Sequence, residues 1–69
     1  MKPLTLASRL VALREAAGLT KYALGKRADV DASFLAEIER GEKKPGWETA
    51  CRLADALGVG LDELRGPTE

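Results

Sequence analysis

Apolar residues recur at helical spacing along the whole chain, and glycine-rich or polar breaks divide them into five stretches. Leu6, Leu10, Leu13 and Ala17 form one stripe over about residues 5–17, behind Thr5, whose hydroxyl can cap the free N–H groups of a helix start. Gly18 supplies a left-handed residue to end it. Thr20 caps a second helix, about 20–28, with Leu24 and Ala28 inward. Ala28-Asp29-Val30 reads as a turn, with Val30 filling the angle to the next helix. Asp31 caps that third helix, about 31–40, where its carboxylate also suits the positive end of the helix dipole. Leu35 and Ile38 point inward from it; Ala32, Ser33, Ala36 and Glu37 point outward, and Phe34 lies at the edge. Gly41 stops the helix, and Glu42 to Gly46 form a loop closed by a Pro-Gly signal. The fourth helix, about 47–57, turns Ala50, Cys51, Ala54 and Leu57 inward with Leu53 beside them, and ends at Gly58. A last short helix covers about 61–65, with Gly66-Pro67 terminating it. Nothing alternates as a strand would. The pattern predicts an all-α domain of five helices.

The second and third helices are short and their connection is tight, so they cannot lie parallel and bury much surface. They must cross, which leaves one end of the third helix projecting. That is helix-turn-helix geometry, whose second helix can enter a DNA major groove.

Size and composition exclude more than they assign. A chain of 69 residues is a single domain near the lower limit for a self-sufficient core. It has no apolar run near the ~20 residues that span a bilayer. Its start, MKPLTLASRL, lacks a signal-peptide core, so a cytoplasmic location is expected, and the single Cys51 fits a reducing compartment. There is no His, no metal-ligand spacing, and no activated hydroxyl, so neither enzyme activity, a metal, a cofactor nor a small-molecule ligand is expected.

The net charge is zero but unevenly spread. Met1 to Lys44 carries nine Lys/Arg against six Asp/Glu, or +3, and Pro45 to Glu69 carries two against five, or −3. A dipolar molecule can turn its basic part towards phosphate, and the same charges can equally be a solvated surface.

The residues then show a resemblance. Leu13-Arg14, Gly18-Leu19-Thr20, Leu24, Val30, Ile38-Glu39-Arg40-Gly41, Pro45, Leu53 to Val59 and Leu61 to Leu64 stand in order and at the spacing of the Cro and lambda-repressor-like helix-turn-helix family, also called the XRE family. The chain resembles that family from about Leu10 to Leu64. The resemblance implies a cytoplasmic transcriptional regulator, a repressor, that binds double-stranded operator DNA as a homodimer, at least on DNA. Dimer contacts are expected from Leu61, Leu64 and their neighbourhood, or from DNA-dependent pairing.

Family positions also imply site residues. Arg14 and Glu39 stand where such domains pair arginine with glutamate across helices one and three; the alternative is an exposed pair contributing under ~1 kcal/mol. Phosphate contacts fall on Lys21, Tyr22, Lys43 and Lys44, with Tyr22 alternatively packed on the nearby loop. Base-reading positions fall on Ala32, Ser33, Phe34 and Glu37. Family members often carry Gln, Arg or Asn there. Here a methyl and a phenyl can pack on thymine methyls, Ser33 can donate or accept, and Glu37 can accept from a cytosine amino group. Specificity would then lean on shape and apolar contact. Otherwise Glu37 points into solvent or pairs with Arg40 or Lys44.

Several positions depart from the family or leave a choice open. Gly25 replaces the usual alanine, at about 1 kcal/mol of helix propensity, and can let helices two and three approach closely. Gly46 replaces a serine cap. Cys51 reads as a small buried apolar group. Trp47 either lids the core or anchors a partner. The sparse polar outer face of helix three and the acidic C-terminal part favour, more than in a typical member, a protein-interaction module on the same fold, of antitoxin or scaffold type.

Overall fold

The computed structural model describes residues 5–65, so the expected terminator Gly66-Pro67 lies outside the described residues. The described residues form α1 (Leu6–Ala16), α2 (Lys21–Ala28), α3 (Ala32–Glu39), α4 (Trp47–Leu57) and α5 (Leu61–Arg65), with no strand among them. Three helices begin on side-chain caps. Thr5 Oγ1 accepts from the Ser8 N–H at 3.2 Å, and Ser8 Oγ in turn accepts from the Thr5 N–H at 3.1 Å, closing a capping box. Thr20 Oγ1 accepts from the Ala23 N–H, and Asp31 Oδ1 from the Ser33 N–H. The fourth begins at Gly46 with no side-chain cap.

The helix that ends without a glycine is α2. Its C-terminal cap, Asp29, takes the left-handed conformation at φ 59°, and the next N–H, of Val30, bonds the Gly25 carbonyl at 2.8 Å. This reversal sets α3 across α2. It also brings the Val30 carbonyl so close to α2 that a Cβ on Gly25 would stand 2.5 Å from its oxygen. The glycine is therefore required by the crossing itself, and its low helix propensity is offset by an approach that alanine would block.

α2 packs on α3 and α4, α1 on α3 and α5, and α4 on α5. Leu10, Leu24, Leu35, Ile38, Leu53 and Leu64 are fully buried where these helices meet, with Ala28, Ala50 and Ala54 filling the narrower spaces. Val30 packs half-buried against this core, in the angle between α2 and α3.

Four sequence expectations are corrected. Ala17 is exposed as the C-terminal cap of α1 rather than part of its inward stripe. On α4 the buried face centres on Leu53, and Cys51 and Leu57 lie half-buried at its margins, because α2 and α5 grip the helix from two sides. Trp47 is 70% exposed and does not lid the core. Leu64 is 0% exposed, spent on the core as α5 packs against α1, so it offers no surface to a second copy.

Candidate nucleic-acid interface

The candidate reading face lies at the start of α3. With Asp31 capping it, the helix begins abruptly after the turn and presents Ser33 exposed, with Ala32 and Glu37 partly so. Ser33 and Glu37 are four residues apart and so share a face. Phe34 differs from them: it packs half-buried against the core, so only part of its ring is available.

At the head of α2, Lys21 and Tyr22 are both exposed, Tyr22 by 66%. The Tyr22 ring faces Lys26, one helical turn on, whose Nζ lies 5.6 Å from the ring centroid. A shallow groove runs from Tyr22 and Lys26 past Asp31 to Ala32, so it joins the head of α2 to the start of α3. Sequence reasoning misses Lys26, although its i,i+4 spacing from Tyr22 is the available signal.

Lys43 and Lys44 stand exposed in the loop after α3 and line a hollow with Thr5, Leu6 and Ile38. The loop is folded back over the helix. Gly41 turns the chain at φ 79°, a conformation glycine adopts without strain, and the Glu42 N–H then bonds the Glu37 carbonyl at 2.9 Å. This sorts the charges. Arg40 donates Nε and Nη2 to the two oxygens of Glu42, at 2.9 and 3.0 Å, which raises the Arg40 pKa and holds the Glu42 carboxyl below its ordinary value. With Arg40 engaged, Glu37 forms no ion pair with it or with Lys44, although its charge adds to the rise in the Arg40 pKa. Its Oε1 lies 3.9 Å from Lys43 Nζ.

Behind the face, Arg14 Nε donates to Glu39 Oε2 at 2.7 Å and Nη2 to Oε1 at 3.2 Å, and Nη1 donates to the Leu19 carbonyl at 2.8 Å. The two side chains are only 11% and 5% exposed. The hydrogen bond to Glu39 raises the Arg14 pKa against the opposing effect of burial. One guanidinium thus ties α1, the α1–α2 connection and the end of α3 together.

Among the described residues no group of His, Cys, Asp and Glu could hold a metal ion, and no helix is long and apolar enough to cross a membrane.

Comparison with known proteins places this geometry. A family model described as a helix-turn-helix domain matches residues 5–66. The chain is 37% identical over 62 residues to an HTH-type transcriptional regulator, y4dJ, of Sinorhizobium fredii, covering 90% of this chain and 80% of that protein. It is 33% identical over 63 residues to the immunity repressor protein of Bacillus phage phi105, covering 91% of this chain but only 44% of that protein, so it spans under half the repressor's length. Among solved structures it is similar to the P22 c2 repressor protein in complex with a synthetic operator, with a TM-score of 0.85 at 28% identity over 91% of this chain and 96% of that one.

Proposed function

The chain belongs to the helix-turn-helix family, and from that membership we propose that it is a DNA-binding transcriptional regulator, a repressor that sets α3 into the major groove of operator DNA. The observation that carries this reading is the likeness, over nearly the whole chain, to a repressor solved on operator DNA. Lys21, Tyr22, Lys43 and Lys44 contact phosphates and fix the register. Ala32, Ser33 and Glu37 meet base edges, with the exposed part of Phe34 against thymine methyls. The protein acts in the cytoplasm, where its operator lies, as a homodimer on DNA. Leu61 and its half-buried neighbours Leu57 and Val59 are the surface that supports pairing, since Leu64 is enclosed.

Binding to random-sequence duplex at two salt concentrations tests the reading. A dimer that neutralises roughly 6–10 phosphates loses about 10³–10⁵ in affinity between 50 and 200 mM salt. Selection from random DNA then returns palindromic sites with half-sites about one helical turn apart. Absence of binding at 50 mM salt sinks the proposal.

One observation favours a second use of the same fold. Trp47 is 70% exposed at the start of α4, and exposed aromatics are enriched at protein–protein interfaces. A protein-interaction module is the reading that stands if the DNA experiment fails.

A further inference from the structure

We propose that Glu37 and Lys43 form an exchange pair that makes one phosphate contact conditional on base identity. On random DNA the lysine stays with Glu37. Where a base offers Glu37 a hydrogen-bond donor, the lysine is released to a phosphate. This rests on the reading of α3 as the base-facing helix.

The arrangement of charges carries it. Glu37 lies on the reading face, 34% exposed, and a bare carboxylate there is repelled by the phosphates lining the groove. Lys43 Nζ stands 3.9 Å from it. The contact is held by the fold, because the Gly41 turn and the bond from the Glu42 N–H to the Glu37 carbonyl bring the loop back over the last turn of α3. Neither neighbour substitutes: Arg40 is held by both oxygens of Glu42, and Lys44 forms no ion pair with Glu37. At 3.9 Å, with Lys43 exposed and Glu37 partly so, the lysine can leave for a phosphate oxygen once a base has taken over the carboxylate. The lysine therefore has two competing anions, the carboxylate and the DNA backbone. A cytosine N4 amino group is the base-edge donor chemically suited to a carboxylate. When Glu37 accepts from it, the amino group takes over a carboxylate oxygen; the charge remains, but the carboxylate is solvated by the base and holds the lysine less strongly. Base reading and backbone contact are coupled through one side-chain pair.

A double-mutant cycle tests this. The wild type, Glu37→Gln, Lys43→Ala and the double variant are titrated against random duplex at 50 and 200 mM salt. In the Glu37→Gln background, Lys43→Ala lowers the slope of log affinity against log salt by about 0.9, one phosphate's worth, or roughly a threefold change across that range. In the wild-type background the reduction is much smaller. On a duplex carrying the selected cytosine, Lys43→Ala lowers the slope by the same amount of about 0.9 in the wild type. Simple like-charge repulsion by Glu37 predicts instead equal effects of Lys43→Ala in both backgrounds, and that outcome overturns the coupling alone. If the wild type fails to bind duplex at 50 mM salt, the DNA-binding reading falls and takes this inference with it. Circular dichroism of each variant confirms that these exposed substitutions leave the fold intact.

Discussion

Arg14 on α1 holds Glu39 on α3 by two donors on one carboxylate, and spends its third nitrogen on the Leu19 carbonyl. With both side chains nearly enclosed, this pair differs in kind from the exposed Arg40–Glu42 and Glu48–Arg52 pairs. Removing one partner leaves the other buried and uncompensated. Glu39→Ala is expected to lower stability by about 3 kcal/mol, whereas replacing both residues with apolar ones of similar volume, Arg14→Met with Glu39→Leu, costs far less. Urea unfolding of the three proteins checks this, and equal losses for the single and double replacements would count against it.

Two glycines respond in opposite ways to gaining a side chain. At Gly25 a Cβ meets the Val30 carbonyl oxygen at 2.5 Å, so Gly25→Ala is destabilising by about 1–3 kcal/mol despite alanine's better helix propensity. At Gly46 nothing lies within 4 Å of a new Cβ, and the start of α4 has no side-chain cap. Gly46→Ser adds the missing acceptor and raises stability by a few tenths of a kcal/mol. Thermal melts of both variants should move in opposite directions.

Asp29 occupies a left-handed conformation at the negative end of α2, a combination unfavourable on both counts. Asp29→Gly removes the strain and the charge and is expected to stabilise by about 1 kcal/mol. Asp29→Asn keeps a residue tolerant of this backbone and removes only the charge, so its gain is smaller. A higher melting temperature for the asparagine variant than for the glycine variant contradicts this ordering.

Lys21 and Lys44 are exposed, and neither forms an ion pair among the described residues. Lys21→Ala and Lys44→Ala should each reduce the salt slope of DNA binding by about 0.9, the effect of one phosphate no longer neutralised. Their unfolding free energies should stay within about 0.5 kcal/mol of the wild type, as for surface substitutions generally. A salt slope unchanged in both variants would remove these lysines from the backbone contacts.

Much of this is legible along the chain because helix starts are local events. Thr5, Thr20 and Asp31 each satisfy an N–H within three residues of themselves, and short-range order is enough to find them. The partner of the first cap is harder to find: Ser8 closes the box in place of the longer Glu or Gln side chain that marks the motif. Periodicity finds the apolar face of α4 but not its centre. Cys51 and Leu53 flank the stripe of Ala50, Ala54 and Leu57 on opposite sides, and only α2 and α5 closing on the helix choose Leu53 over Cys51.

The sequence by itself determined the five helices, their caps and the crossing of α2 and α3, because these follow from spacing, side-chain acceptors near free N–H groups, and turn residues. The tertiary structure decided what contacts across distance alone can decide. It enclosed Leu64 and exposed Trp47, although both are apolar residues on helices. It made Gly25 a requirement of packing, through a carbonyl five residues away beyond a turn. It also gave Glu37 to Lys43 rather than to Arg40 or Lys44, because the loop folds back and Arg40 is already engaged. Which of several nearby charges pair depends on where the backbone places them to within an ångström or two, and residue spacing carries no such information.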